Sequence, residues 1–180
     1  LVKTAKNNGQ SVTAGVCPHH LFLTIDSIAQ LGSYALMKPP LGTFEDQASL
    51  WEGINDGTID VIETDHAPHT KDEKKQIPAP FGVPGLETAW GLMCFAVQKN
   101  KITMERLIEL MHKNPRTIFN VPTQLNTYFE CDPEKSFVIG EDGYETKCGW
   151  SPFESWQAYG KVETVVIRGQ TVVRDGKLII

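Results

Sequence analysis

The sequence predicts an α/β protein with a parallel sheet, followed by a small all-β appendage, and three observations carry that expectation. The stretches SVTAGVCP (11–18) and IDVIETD (59–65) are almost continuous in apolar and β-branched residues, as strands buried on both faces are. Helical patterns precede, separate and follow them, which is the βα rhythm of a parallel architecture. From Thr127 the pattern changes to TYFECD, KSFVIG, VETVVIRG and TVVRDGKLII, short runs parted by Gly or Asp turns. The expected division is therefore 1–126 for the α/β part and 127–180 for the appendage.

Each element has its own signal. Leu1, Val2 and Ala5 fall at helical spacing and Asn8–Gly9 read as a stop, so the chain is expected to begin inside a helix, with an upstream portion outside these residues. After the first strand, LTIDSIAQLG (23–32) reads as a helix with Asp26 as a possible N-cap and Gly32 as its end. Lys38–Pro39–Pro40 is a stiff turn, because each proline restrains its own φ and its predecessor. Thr43 to Asn55 is an amphipathic helix closed by the Asn55–Asp56–Gly57 turn.

The second strand leads into a polar, Pro-rich segment, HAPHTKDEKKQIPAPFGVPG (66–85), long enough to close over a ligand. LETAWGLMCFAVQKN (86–100) is a strongly apolar helix. Ile102–Met111 make another, with Asn114–Pro115 expected beyond its end.

Composition narrows the function classes. A hydrophobic fraction of 41% and a charged fraction of 22% are those of a globular domain with an ordinary core. The formal charge of −5, with no basic run, argues against nucleic acid and anionic membrane as partners. No apolar stretch approaches the roughly 20 residues that cross a bilayer. Cys17, Cys94, Cys131 and Cys148 form no C-x-x-C pair, which points to buried thiols and a reducing cytoplasm.

The stretch VIETDHAPHT (61–70) concentrates groups able to do chemistry. Strand alternation puts Val61, Glu63 and Asp65 on one face and Ile62, Thr64 and His66 on the other. Asp65 then stands at the carboxyl end of the strand, free to reach a metal or a substrate, or else to cap the following turn. His69 lies just beyond and can lean over the same mouth, whereas His66 points away. Glu63 has no evident partner. His19–His20, after the other strand, can present at most one ring to that mouth, and a packed structural role is the alternative. Lys38 on its rigid turn suits a substrate carboxylate, or is a solvated surface lysine. Gly82 and Gly85 in APFGVPG permit close approach of a small polar ligand to the backbone.

These segments, in this order, resemble the dihydroorotases of the metal-dependent amidohydrolase superfamily. The resemblance rests on PHHLFLT (18–24), KPPLG (38–42), DGTIDVIETDHAPHTKDEK (56–74), FGVPGLET (81–88), NPRTIF (114–119) and SPFE (151–154). It implies the last two strands and helices of a (β/α)8 TIM-type barrel with the C-terminal share of a small β-sandwich. It also implies the reversible hydrolysis of L-dihydroorotate to N-carbamoyl-L-aspartate in pyrimidine biosynthesis. The implied cofactor is a pair of zinc ions sharing a hydroxide that attacks the ring amide.

By the same resemblance Asp65 is a zinc ligand and the general base and acid. His69, Lys38, Phe81 and Gly82 contact the substrate, Phe81 and Gly82 through their backbone. Lysine at position 38 departs from the Asn or Arg of relatives and gives up the bidentate geometry of Arg. The family's H-x-H motif, its carboxylated lysine and two further histidine ligands are expected upstream of Leu1. The 180-residue chain alone is therefore expected to be inactive and to bind zinc weakly. A cytoplasmic homodimer, and association with aspartate transcarbamoylase, are further expectations. The alternatives are another cyclic amidase, of hydantoinase or allantoinase type, or a non-catalytic dihydroorotase-like subunit scaffolding aspartate transcarbamoylase.

Overall fold

A computed structural model describes residues 1–179. The chain is mixed α/β. Helix α1 (Val2–Asn7) leads to strand β1 (Gly15–Val16), which pairs in parallel with β2 (Val61–Ile62), Gly15 opposite Val61 and Val16 opposite Ile62. The regular ladder is shorter than the apolar runs, but it is extended by Glu63 N–H donating to the Val16 carbonyl at 3.0 Å. Asp60 fastens its start: it takes the Ala14 N–H at 2.8 Å and both of its oxygens lie 2.7 Å from Lys6 Nζ.

Between the two strands the chain differs from expectation in two places. Pro18–Phe22 forms a short helix, α2, because Pro18 at its first position is already set for helical φ. His19 and His20 therefore sit on a helix and not at a strand end. The segment after it is broken into a 3-10 turn (Ile25–Ser27), α3 (Ile28–Leu31) and a second 3-10 turn (Gly32–Ala35). Its cap is Thr24, paired reciprocally with Ser27, so Asp26 is a first-turn residue and not the cap. Helix α4 (Phe44–Asn55) starts at Thr43 as expected, in a capping box with Asp46.

Beyond β2, the long polar segment contains one helical turn, α5 (Lys71–Lys74), capped by Thr70 and Glu73. Helix α6 (Leu86–Gln98) buries Thr88, Ala89, Gly91, Leu92, Met93, Cys94 and Ala96. Helix α7 (Met104–Ile108) passes through a π turn (Glu109–Lys113) straight into α8 (Asn114–Ile118). Asn114–Pro115 thus lies inside the helical run and not past its end. The π turn lets Pro115 take the first turn of α8, where its missing N–H leaves no bond unmade.

One core cluster lies between one face of the β pair and the helices: Val16, Ile62, Trp51, Ile54, Met93, Leu107 and Leu110. Arg106 locks α7 there by donating to the carbonyls of Ile54 (3.0 Å) and Ile59 (2.8 Å). A second cluster joins Leu23, Met37, Leu41, Val83 and Leu92 to Ile139, Trp150, Phe153 and Ala158 from the C-terminal third.

That third has two antiparallel sheets. One has the order β3 (Tyr128–Cys131), β6 (Val162–Ile167), β7 (Gln170–Arg174), β8 (Lys177–Leu178); the other pairs β4 (Ser136–Val138) with β5 (Gln157–Tyr159). The β4–β5 pair packs directly on α6. A Cβ on Gly91 would stand 2.8 Å from Phe137 Cζ and 3.1 Å from Ala158 Cβ, so only glycine permits this approach. Among the described residues no helix is long and apolar enough to cross a membrane.

Candidate active site at the end of strand β2

The residues after β2 are steered by a break in the backbone. Asp65 has φ of 44°, in the left-handed region, so strand alternation ends before it and a kink aims its carboxylate. Glu63 and Asp65 are both exposed in this chain. The Glu63 carboxylate lies over Gly15, where an added Cβ would be 2.5 Å from Oε1.

His66 is turned to the start of α6. Its Nδ1 accepts the backbone N–H groups of Gly85 (3.1 Å) and Leu86 (3.2 Å). These are N-terminal donors for which Gly85 offers no side chain, so the imidazole serves as the helix cap. Nδ1 as acceptor leaves the proton of the neutral ring on Nε2.

His69 is half-buried, with Nε2 3.1 Å from the Phe81 carbonyl oxygen. A carbonyl only accepts, so Nε2–H donates. Nδ1 faces Glu73 at 3.8 Å. The Thr70 backbone N–H and hydroxyl, together with His69, hold the Glu73 carboxyl below the usual carboxylate range. Gly82 has φ of 124°, its N–H donates to the Leu36 carbonyl at 2.9 Å, and a Cβ there would lie 2.6 Å from the Ala67 carbonyl oxygen. The exposed Lys38 places Nζ 4.3 Å from the centre of the Phe81 ring, which gives its charge an aromatic shelf.

His69, Phe81, Gly82 and Lys38 therefore form one connected rim. Asp65, four residues before His69 on the same loop, is an exposed carboxylate and belongs to no group of three metal-ligating side chains among the described residues. An exposed carboxylate at the carboxyl end of a strand fits one position of a metal centre, and three or four ligands are needed to complete one.

Three features had no clear sequence signal. Cys17, His19 and His20 bring one ligand atom each within 4.8 Å of one another. Burial first, then the carboxylates of Glu63 and Asp65, push the Cys17 thiol up to about 12, so it is protonated at neutral pH, and His20 Nε2 is engaged with the Pro39 carbonyl at 3.1 Å. Lys74 is fully buried. Trp150, from the C-terminal third, donates its indole N–H to the His69 carbonyl at 2.7 Å. No sequence pattern links positions 81 residues apart.

No family model matches the chain. It is 45% identical over 180 residues to the multifunctional protein pyr1-3 of Dictyostelium discoideum, covering 99% of this chain and 8% of that protein. It is 38% identical over 186 residues to the dihydroorotase of Caldanaerobacter subterraneus subsp. tengcongensis, covering 98% of this chain and 43% of that protein. The chain thus spans less than half the length of these curated relatives.

Among solved structures it resembles the L-hydantoinase of Arthrobacter aurescens, with a TM-score of 0.89, 26% identity, 99% of this chain and 43% of that one. It also resembles the inactive dihydroorotase-like domain of a Chaetomium thermophilum CAD-like multifunctional protein. There the TM-score is 0.79 and the identity 26%, over 99% of this chain and 48% of that one.

Proposed function

We propose that this chain, homologous along its whole length to the C-terminal part of dihydroorotases, contributes one wall of a zinc-dependent dihydroorotase site. It would hydrolyse L-dihydroorotate reversibly to N-carbamoyl-L-aspartate. In this reading 1–126 is the last part of a (β/α)8 barrel and 127–180 its β-sandwich appendage. The observation that carries it is the rim of His69, Phe81, Gly82 and Lys38, with the exposed Asp65 carboxylate on the same loop, in a chain 38% identical to a dihydroorotase.

The chemistry follows from the groups present. Zinc, when bound, supplies a Lewis acid and an activated water for amide hydrolysis. Asp65 would help to hold that metal, and its carboxylate would take the proton from the attacking water and return it to the ring nitrogen as the amide bond breaks. Lys38 opposes the substrate carboxylate as a point charge. The Phe81–Gly82 backbone offers fixed polar groups to the ring, and His69, anchored at Nε2 by the Phe81 carbonyl, keeps that segment at the mouth. The remaining ligands would come from the part of the relatives that this chain does not span. The homodimer and the association with aspartate transcarbamoylase belong to the same reading, the latter supported by its similarity to multifunctional relatives.

A non-catalytic role is the second reading, favoured by the fold shared with an inactive dihydroorotase-like domain. The test is turnover of dihydroorotate, hydantoin and allantoin by the complete protein, with its metal content. Turnover of dihydroorotate above the other two, with bound zinc, is expected. A metal-free protein that turns over none of them would establish the non-catalytic reading.

A further inference from the structure

Lys74 is the most deeply buried charged side chain among the described residues, with a relative exposure of 0%. Its side chain runs from α5 past the Trp150 ring, 5.8 Å from Nζ to the ring centre. It ends among three backbone carbonyls: Pro80 at 2.8 Å, Gly82 at 3.1 Å and Leu36 at 3.4 Å. An ammonium has three protons and here finds three acceptors, so it is satisfied without a carboxylate. Burial pulls its pKa below the ordinary lysine value. Burying a charge is costly, and a lysine used only as a spacer would bring its head to water.

The acceptors explain the position. Pro80 and Gly82 flank Phe81 on either side, and Leu36 lies two residues before Lys38. Gly82 N–H donates to that same Leu36 carbonyl. One ammonium thus ties together the two segments that present Phe81, Gly82 and Lys38. These three carbonyls also point inward, to Lys74, which leaves the Phe81 carbonyl between them to face His69.

We propose that Lys74 is a positioning residue for substrate binding, its buried ammonium clamping the 80–82 segment to the 36–38 turn so that both face the substrate together. The proposal rests on the dihydroorotase reading. It concerns ground-state binding, because the groups that Lys74 holds contact the substrate away from the proton transferred by Asp65.

The test uses the complete protein with Lys74→Met, which keeps the stem and removes all three donors, and Lys74→Gln, which keeps two donors without the charge. Thermal unfolding identifies variants that fold, and Lys74→Gln carries the test where Lys74→Met does not fold. Hydrogen exchange at the Gly82 amide and the kinetics of dihydroorotate hydrolysis are then measured. Loss of charge-assisted hydrogen bonds is expected to speed Gly82 exchange and to raise KM by about tenfold, with kcat changed by less than about threefold. Unchanged Gly82 exchange would overturn the clamp. Faster exchange with an unchanged KM would overturn its link to substrate. A wild-type protein that does not turn over dihydroorotate would instead remove the functional reading, and the substrate role of Lys74 with it.

Discussion

The indole N–H of Trp150 donates to the backbone carbonyl of His69 at 2.7 Å, joining the C-terminal third of the chain to the loop after β2. Trp150 is itself buried, edge-on to Tyr34 with ring centres 4.8 Å apart. The C-terminal third thereby holds the backbone of the histidine that meets Phe81. Trp150→Phe keeps most of the packing and removes the donor. We expect a loss of about 1 kcal/mol in stability and a KM for dihydroorotate raised severalfold, read by thermal unfolding and steady-state kinetics of the complete protein.

Asp65 combines a kinked backbone with an exposed carboxylate. Asp65→Asn keeps the size and removes both the charge and the base. In the complete protein kcat should fall by about a thousandfold or more, with fewer metal ions bound per chain. Retention of a tenth of the activity would exclude Asp65 as the proton carrier.

At Gly82 a side chain is opposed twice, by a φ of 124° and by the Ala67 carbonyl 2.6 Å from an added Cβ. The neighbour is backbone and cannot swing aside. Gly82→Ala should cost about 1–3 kcal/mol and disturb substrate binding more than turnover, checked by urea unfolding and by KM against kcat.

His19 responds to pH through burial. With an exposure of 2% and no partner for Nε2, its ring is pushed down to about 4, chiefly by desolvation and secondly by His20. The folded state then binds fewer protons than the unfolded chain between pH 4 and the unperturbed value of 6.5. The stability held above pH 6.5 is lost as pH falls toward 4, by about 3 kcal/mol at most for this one group. His19→Phe should flatten the fall in melting temperature between those two values, and an unchanged slope would assign the acid sensitivity elsewhere.

The 180-residue chain alone offers Asp65 outside any cluster of three ligands among its described residues. We expect no measurable dihydroorotate hydrolysis from it, and no zinc retained through gel filtration. Activity at the level of a complete dihydroorotase would show that the centre does not need the rest of the relatives' length.

Much of the fold was legible in local pattern. The apolar runs marked β1 and β2, the amphipathic pattern from Thr43 to Asn55 marked α4, and the Gly and Asp turns marked the antiparallel strands after Thr127. These are effects of neighbours within four residues, where side-chain periodicity and backbone propensity act directly. The local signal failed where two such rules competed. Thr24 took the cap offered by Asp26, and the π turn carried a helix through Asn114–Pro115 although proline usually marks an end.

For the candidate site, sequence by itself named the candidates, Asp65, His69, Lys38, Phe81 and Gly82, through segments whose order resembles that of dihydroorotases. The tertiary structure alone decided their arrangement. It kinked Asp65 out of strand alternation, turned His66 into a helix cap, set Glu63 over Gly15, and gave Trp150 and Lys74 their carbonyl partners. The reason is physical. A hydrogen bond is selected by distance and direction in three dimensions, and the carbonyls that hold His69 and Lys74 carry no side-chain identity for a sequence to display.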